Sequence, residues 1–272
     1  MNKKRPYTID DLVYLMARLR SPENGCPWDR AQDYQSIVPY TLEEVYEVVD
    51  TIERGDYGHL GEELGDLLFQ VVFYARLAEE EGHFDFPSVV DGIVGKLISR
   101  HPHVFPDGTL GSTRPDGTGA DETRIKETWE DIKRRERTGK GMTGHLADIP
   151  VALPALSRAQ KVQKRAAKHG FDWQQAGAVI DKIREEMEEL EIEMAGPDRG
   201  KLAEEMGDLL FACVNMARHL GLDAEATLRR ATSKFERRYR DMESFLEQDG
   251  REMENLDPET REDYWRRAKS AE

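Results

Sequence analysis

The sequence predicts an all-α protein built as two tandem, related helical modules, and three observations carry that expectation. Apolar residues recur at helical spacing through a chain that is 34% charged with a mean hydropathy of −0.71, the pattern of solvated helical bundles. A stretch of the first half is nearly copied in the second. Between the copies, Thr138 to Pro154 gathers Gly and Pro and interrupts the helical period. We therefore expect an N-terminal module over 1–137, a connection over 138–157 and a C-terminal module over 158–272, each with a four-helix-bundle type of core.

The elements follow in order. Residues of about 41–54 and 60–82 read as the first helix pair, joined by Arg54-Gly55-Asp56-Tyr57-Gly58. Residues of about 174–195 and 199–220 read as the second, joined by Ala195-Gly196-Pro197-Asp198. Such short connections make each pair antiparallel. A third helix is expected near 86–100 and again near 223–246, and a last one around Trp129 and Trp265. Pro106 to Asp121 is rich in turn formers and reads as an exposed loop.

The repeat is most exact where the charges are. Glu62-Glu63-Leu64-Gly65-Asp66-Leu67-Leu68-Phe69 returns as Glu204-Glu205-Met206-Gly207-Asp208-Leu209-Leu210-Phe211, a displacement of 142. Glu44 and Glu47 return as Glu186 and Glu189 at that displacement; Lys96 and Arg100 return as Lys234 and Arg238, and Trp129 as Trp265, at slightly smaller ones. Residues three or four apart share a helix face, so each copy brings four carboxylates together. At roughly 5 Å and an effective dielectric near 20, each like-charged pair costs about 3 kcal/mol, so the cluster calls for a cation. An all-oxygen donor set favours Mg²⁺, with Mn²⁺ as a substitute. A single Glu-rich run is ordinarily a solvated face; its recurrence with a helix-interior glycine, Gly65 and Gly207, points to closely packed helices instead.

Thr41-Leu42-Glu43-Glu44 has the form of an N-terminal capping box, which gives Glu44 a structural explanation. Ile183, at the equivalent place, cannot cap, so the second copy is favoured as the working site. Glu80 and His83 have the spacing of a carboxylate-bridged iron site but lack a counterpart in the second copy. Net charge is −15, which disfavours stable nucleic-acid binding. Two widely separated cysteines and the lack of a long apolar run fit a cytoplasmic protein with no membrane role.

On these residues the sequence resembles the MazG family of nucleoside triphosphate pyrophosphohydrolases, whose signature is Glu-Glu-x-x-Glu followed by Glu-x-x-Asp. Glu43-Glu44-Val45-Tyr46-Glu47 with Glu63-Leu64-Gly65-Asp66 matches it, and so does Glu185-Glu186-Met187-Glu188-Glu189 with Glu205-Met206-Gly207-Asp208. Cys26-Pro27-Trp28-Asp29 and Arg100-His101-Pro102-His103-Val104-Phe105 also look like two-domain bacterial members. The resemblance implies Mg²⁺-dependent hydrolysis of NTPs and dNTPs to the monophosphate and pyrophosphate, a homodimer that completes the bundles, and catalysis in the C-terminal module. It assigns metal binding to Glu186, Glu189, Glu205 and Asp208, which with Glu185 form the catalytic set. Nucleotide contact falls to Lys182, Lys201, Glu204, Lys234, Arg238 and Trp265. The first cluster, Glu44, Glu47, Glu63 and Asp66 with Lys96, Arg100 and Trp129, matches too, and its role stays open. The residues alone also admit a nucleotide-binding module without turnover, or a metal-dependent phosphohydrolase cutting the β–γ linkage.

Overall fold

The computed structural model describes residues 6–113, 125, 128, 129, 132, 136 and 144–271. The chain divides into two compact units, Met1–Lys133 and Arg134–Glu272. Among the described residues all regular structure is helical.

In the first unit α1 (Ile9–Leu19), a short α2 (Pro27–Ala31), α3 (Tyr34–Arg54), α4 (Tyr57–Glu80) and α5 (Phe86–Arg100) follow one another. The α3–α4 pair forms the centre, with α1 and α5 laid against α4. The second unit holds α6 (Ala155–Ala167), α7 (Ala176–Met194), α8 (Arg199–His219), α9 (Ala224–Gln248), a 3₁₀ turn (Met253–Asn255) and α10 (Pro258–Ser270). Here α7 and α8 form the pair, α6 and α9 pack on α8, and α10 folds back on α9. The α6 helix begins inside the 138–157 segment expected to be a connection.

Local chemistry sets the helix ends. Asp33 caps α3, its carboxylate accepting from the Ser36 N–H at 2.8 Å, and Gly55 closes the helix in the left-handed conformation (φ 70°) that glycine adopts at least cost. Asp56, Asp85, Asp198, Asp223 and Asp257 cap α4, α5, α8, α9 and α10 in the same way. The capping box expected at Thr41 is therefore absent. Thr41 lies inside α3, where its hydroxyl bonds to the Ile37 carbonyl (3.1 Å) and to the Tyr74 hydroxyl (3.0 Å). The helix runs through Pro39 to Asp33, losing only the one bond that Pro39 cannot donate to the Gln35 carbonyl, while the Asp33 cap secures its start. Glu44 is consequently a mid-helix carboxylate like Glu186, and capping no longer distinguishes the copies.

The first core joins α1, α3 and α4 through Met16, Ile37, Val72, Phe73 and Leu77, with Tyr34, Phe69 and Tyr74 against it. Burying a side chain such as Phe73 is worth about 2–3 kcal/mol. At its edge Arg20 spans from the end of α1 to Glu80 at the end of α4 (2.8 Å). Glu80 also accepts from Arg76 (2.8 Å), and His83 turns to Glu81 (3.2 Å), so Glu80 and His83 form no joint metal site. A second core, Met242, Leu246, Tyr264 and Ala268, holds the α9–α10 hairpin, with Trp265 on its flank.

Residues 106–113 are irregular and almost wholly exposed, as expected; 114–121 lie outside the described residues. The expected close packing at the helix-interior glycines is not found among the described residues: a Cβ added at Gly65 or Gly207 would meet nothing within 4 Å. Both glycines sit on faces that the helix pairs leave open. Leu64 and Leu68 on α4 and their counterparts Met206 and Leu210 on α8 are 40–52% exposed.

Candidate metal and nucleotide site

The two helix pairs place acidic oxygens together twice. Glu186 from α7 with Glu205 and Asp208 from α8 offer ligand atoms within 4.8 Å of one another, as do Glu44 from α3 with Glu63 and Asp66 from α4. Period explains each set: Glu205 and Asp208 are three apart on α8, and Glu186 faces them across the antiparallel pair. Glu189 and Glu47 fall outside these sets of three but lie beside them, each acting electrostatically on a cluster member. Glu205 is held above the ordinary carboxylate value by burial first, then by Glu189, Asp208, Glu186 and Glu193. Glu44 is raised in the same way, by burial and then by Asp66 and Glu47. Both clusters therefore hold their charge at a cost that a hard cation would remove, which fits the donor chemistry to Mg²⁺ or Mn²⁺.

The second cluster has a resident counter-ion. Lys182, one turn before Glu186 on α7, places its ammonium 2.7 Å from both Glu185 and Glu186. These bonds hold the Lys182 ammonium firmly protonated. Glu186 is only 5% exposed and needs such a partner.

Beside the second cluster opens a cavity of 460 Å³, of a size for a small organic ligand. Glu186, Asp208 and Lys182 line one part of it; Phe171 and Trp173, Val162 and Gln163 of α6, and Phe211, Asn215 and Arg218 of α8 line the rest. The loop bearing Phe171 and Trp173 is anchored by Asp172, which accepts from both terminal nitrogens of Arg218 and pairs with His219 (3.0 Å). Those bonds, Arg218 first, hold the Asp172 carboxyl below its ordinary value.

Of the residues expected to contact nucleotide, Lys182 lines this cavity, whereas Lys201, Glu204, Lys234, Arg238 and Trp265 do not. Lys201 and Glu204 are exposed on the first turns of α8, and Lys234 and Arg238 lie one turn apart on α9. Trp265 packs on Phe235 (ring centroids 5.2 Å apart) with Lys269 over its ring. In the first unit Lys96 and Arg100 lie on α5, and Trp129 is helical and 37% exposed. Sequence reasoning missed Gln163, Phe171, Trp173, Asn215 and Arg218. One signal was present: Asn215 is an amide in an apolar run, two turns beyond Asp208, where the first copy has Phe73.

That exchange separates the copies. Phe73 is fully buried in the first core, and at the place of Lys182 the first unit has Tyr40, edge-on to Trp28. Apolar and aromatic groups thus occupy positions where the second unit carries an amide and an ammonium.

The chain belongs to the MazG family: the model of the MazG nucleotide pyrophosphohydrolase domain matches it twice, over residues 32–105 and 174–242. Those two matches fall on α3 to α5 and α7 to α9, the elements that carry both clusters. Among relatives, the chain is 52% identical over 266 residues to the nucleoside triphosphate pyrophosphohydrolase of Escherichia coli (strain K12), covering 97% of this chain and 98% of that one. It is 41% identical over 270 residues to the nucleoside triphosphate pyrophosphohydrolase/pyrophosphatase MazG of Thermotoga maritima, with 99% of each chain covered. The nucleoside triphosphate pyrophosphohydrolase of Mycolicibacterium smegmatis is 37% identical over 163 residues, 59% of this chain and 46% of its own.

Proposed function

We propose that this protein hydrolyses NTPs and dNTPs to the monophosphate and pyrophosphate, with the α7–α8 cluster as its active centre. The observation that carries this reading is the cavity that joins Glu186, Asp208 and Lys182 to an aromatic and amide-lined chamber. A phosphate-rich, base-bearing ligand suits such a lining. The first unit offers the same acidic trio but fills the matching positions with Phe73 and Tyr40. We assign it metal binding or a structural role.

Glu186, Glu205 and Asp208, with Glu189 beside them, would hold Mg²⁺, which when bound neutralises triphosphate charge and lowers the pKa of a coordinated water. Glu185 or Glu189 orients or deprotonates the water that attacks the α-phosphorus, breaking the bond to the α–β bridging oxygen. Lys182, whose ammonium lies at the cavity wall 2.7 Å from Glu186, would pair with a phosphate oxygen of the nucleotide. The family resemblance, and not the cavity lining, assigns Lys201, Lys234 and Arg238 to the charge that develops on the departing pyrophosphate and Glu204 and Trp265 to the nucleotide. Apolar faces left open on α4 and α8, with Gly65 and Gly207 in them, support a homodimer that buries them. Both cysteines are free, which suits the reducing cytosol. No helix among the described residues is long and apolar enough to cross a membrane.

The test is to incubate the pure protein with Mg²⁺ and each common NTP and dNTP and to separate products by ion exchange. Monophosphate plus pyrophosphate, lost in Glu205→Gln but retained in Glu63→Gln, is the expected result. Release of orthophosphate would favour β–γ cleavage, and no product would favour a binding module.

A further inference from the structure

One lining residue of the cavity comes from ahead of α6. Leu146 belongs to the irregular segment 144–150, whereas the other described lining residues follow from α6 onward. Arg165, in the last turn of α6, fixes that segment. One of its terminal nitrogens donates to the carbonyls of His145 (3.4 Å) and Ala147 (2.8 Å), the two neighbours of Leu146. The Ala147 N–H turns back onto the Gly144 carbonyl (3.2 Å), and Asp148 turns the chain in the left-handed conformation (φ 68°), which aspartate tolerates better than most residues. Beyond that turn Ile149 is buried. The His145 ring lies against that of His169, with centroids 3.7 Å apart, two residues before Phe171. The segment is thus a strap, tied to α6 by Arg165, to the start of the Phe171–Trp173 loop by the imidazole pair, and to the interior by Ile149.

These ties decide where the Leu146 side chain stands, because the bonded carbonyls on both sides of it leave the strap backbone little freedom. Leu146 is itself 49% exposed, so it has one side on the cavity and another in water. Shortening such a side chain takes little from the core and widens the cavity. The rest of the apolar lining is differently held: Val162 and Ala166 are built into α6, and Asp172 with Arg218 anchors Phe171 and Trp173. The strap is therefore the part of the wall whose place depends on one guanidinium.

We infer that Leu146 limits the size of the nucleoside that the cavity admits, and that Arg165 is the positioning residue that seats it. This deepens the reading of the site as a pyrophosphohydrolase centre and rests on it. The substrate class is nucleoside triphosphates with compact bases, and a base enlarged by an added aromatic ring meets the Leu146 wall. Neither residue is a member of the acidic trio, so the limit acts on binding and not on the chemical step.

The experiment measures kcat and KM of the full chain with Mg²⁺ on ATP, on base-free ribose 5-triphosphate and on ATP analogues carrying a phenyl-sized group at C2, N6 or C8. Wild type is expected to use at least one analogue with kcat/KM about tenfold or more below ATP. Leu146→Ala should bring that analogue to within about threefold of ATP, through KM and not kcat. Arg165→Gln frees the strap and should move the ratio in the same direction, whereas Arg165→Lys, which keeps a donor at the end of α6, should stay closer to wild type. Adding Arg165→Gln to Leu146→Ala should change the ratio by less than about twofold, because the guanidinium acts through the leucine. Leu146→Trp narrows the cavity and should raise KM for ATP itself while sparing ribose 5-triphosphate. Wild-type use of every analogue as readily as ATP, a ratio that Leu146→Ala leaves unmoved, or equal losses on ATP and ribose 5-triphosphate would overturn the size limit while leaving the hydrolase intact. If wild type cleaves none of these substrates, the enzymatic reading falls and this inference with it.

Discussion

The ion pair between Lys182 and Glu186 makes a quantitative prediction about metal and stability together. Unit charges about 4 Å apart at an effective dielectric near 20 attract by about 4 kcal/mol. The Lys182 side chain is 32% exposed while that of Glu186 is 6% exposed, and solvent screening reduces the net figure to about 2 kcal/mol. Replacing Lys182 by Met leaves Glu186 buried beside Glu205 and Asp208 with no ammonium. Without divalent metal, Lys182→Met should therefore lose about 2 kcal/mol in urea unfolding. In saturating Mg²⁺ the cation replaces the lost charge, and the deficit should fall below about 1 kcal/mol. In a Glu186→Gln background the same lysine change should matter little, so the cycle yields a coupling energy of about 2 kcal/mol. A coupling below about 0.5 kcal/mol, or a deficit indifferent to Mg²⁺, would refute the view of Lys182 as the resident counter-ion of the metal cluster.

Further outcomes follow from the same geometry. Glu205→Gln should abolish turnover and the stabilisation by Mg²⁺ of the second unit; an unchanged melting curve with and without Mg²⁺ in wild type would contradict the metal assignment. Phe73→Ala should destabilise the first unit by about 3–5 kcal/mol, because the ring is fully buried, and differential calorimetry would detect the loss as an earlier transition. Asp172 has a folded pKa below its ordinary 3.8, so its contribution is complete above that value and vanishes as pH falls through the depressed one. Acid unfolding of Asp172→Asn should accordingly begin at higher pH than that of wild type, and coincident acid limbs would remove Asp172 as the anchor of the Phe171–Trp173 loop.

Helix period, the internal repeat and turn-forming connections made the all-α class and the pairing of α3 with α4 and α7 with α8 legible, because these depend on local spacing. The same spacing put Glu205 with Asp208 and Glu63 with Asp66 on shared faces. A four-residue match misled at Thr41, since a capping box is only a local pattern and Asp33 supplied a better cap just over two turns earlier. Gly65 and Gly207 likewise meet no neighbour among the described residues, because glycine permits close approach without causing it. What the sequence by itself determined is the family and two clusters of four carboxylates on neighbouring helices; the structure draws three of each four within ligand distance and leaves Glu47 and Glu189 beside them. Only the tertiary structure brought Gln163 of α6, Phe171 and Trp173 of the following loop, Lys182 of α7 and Asn215 of α8 around one cavity. That difference is physical: helix faces repeat every few residues, whereas a cavity depends on packing angles and side-chain rotamers contributed by segments some fifty residues apart.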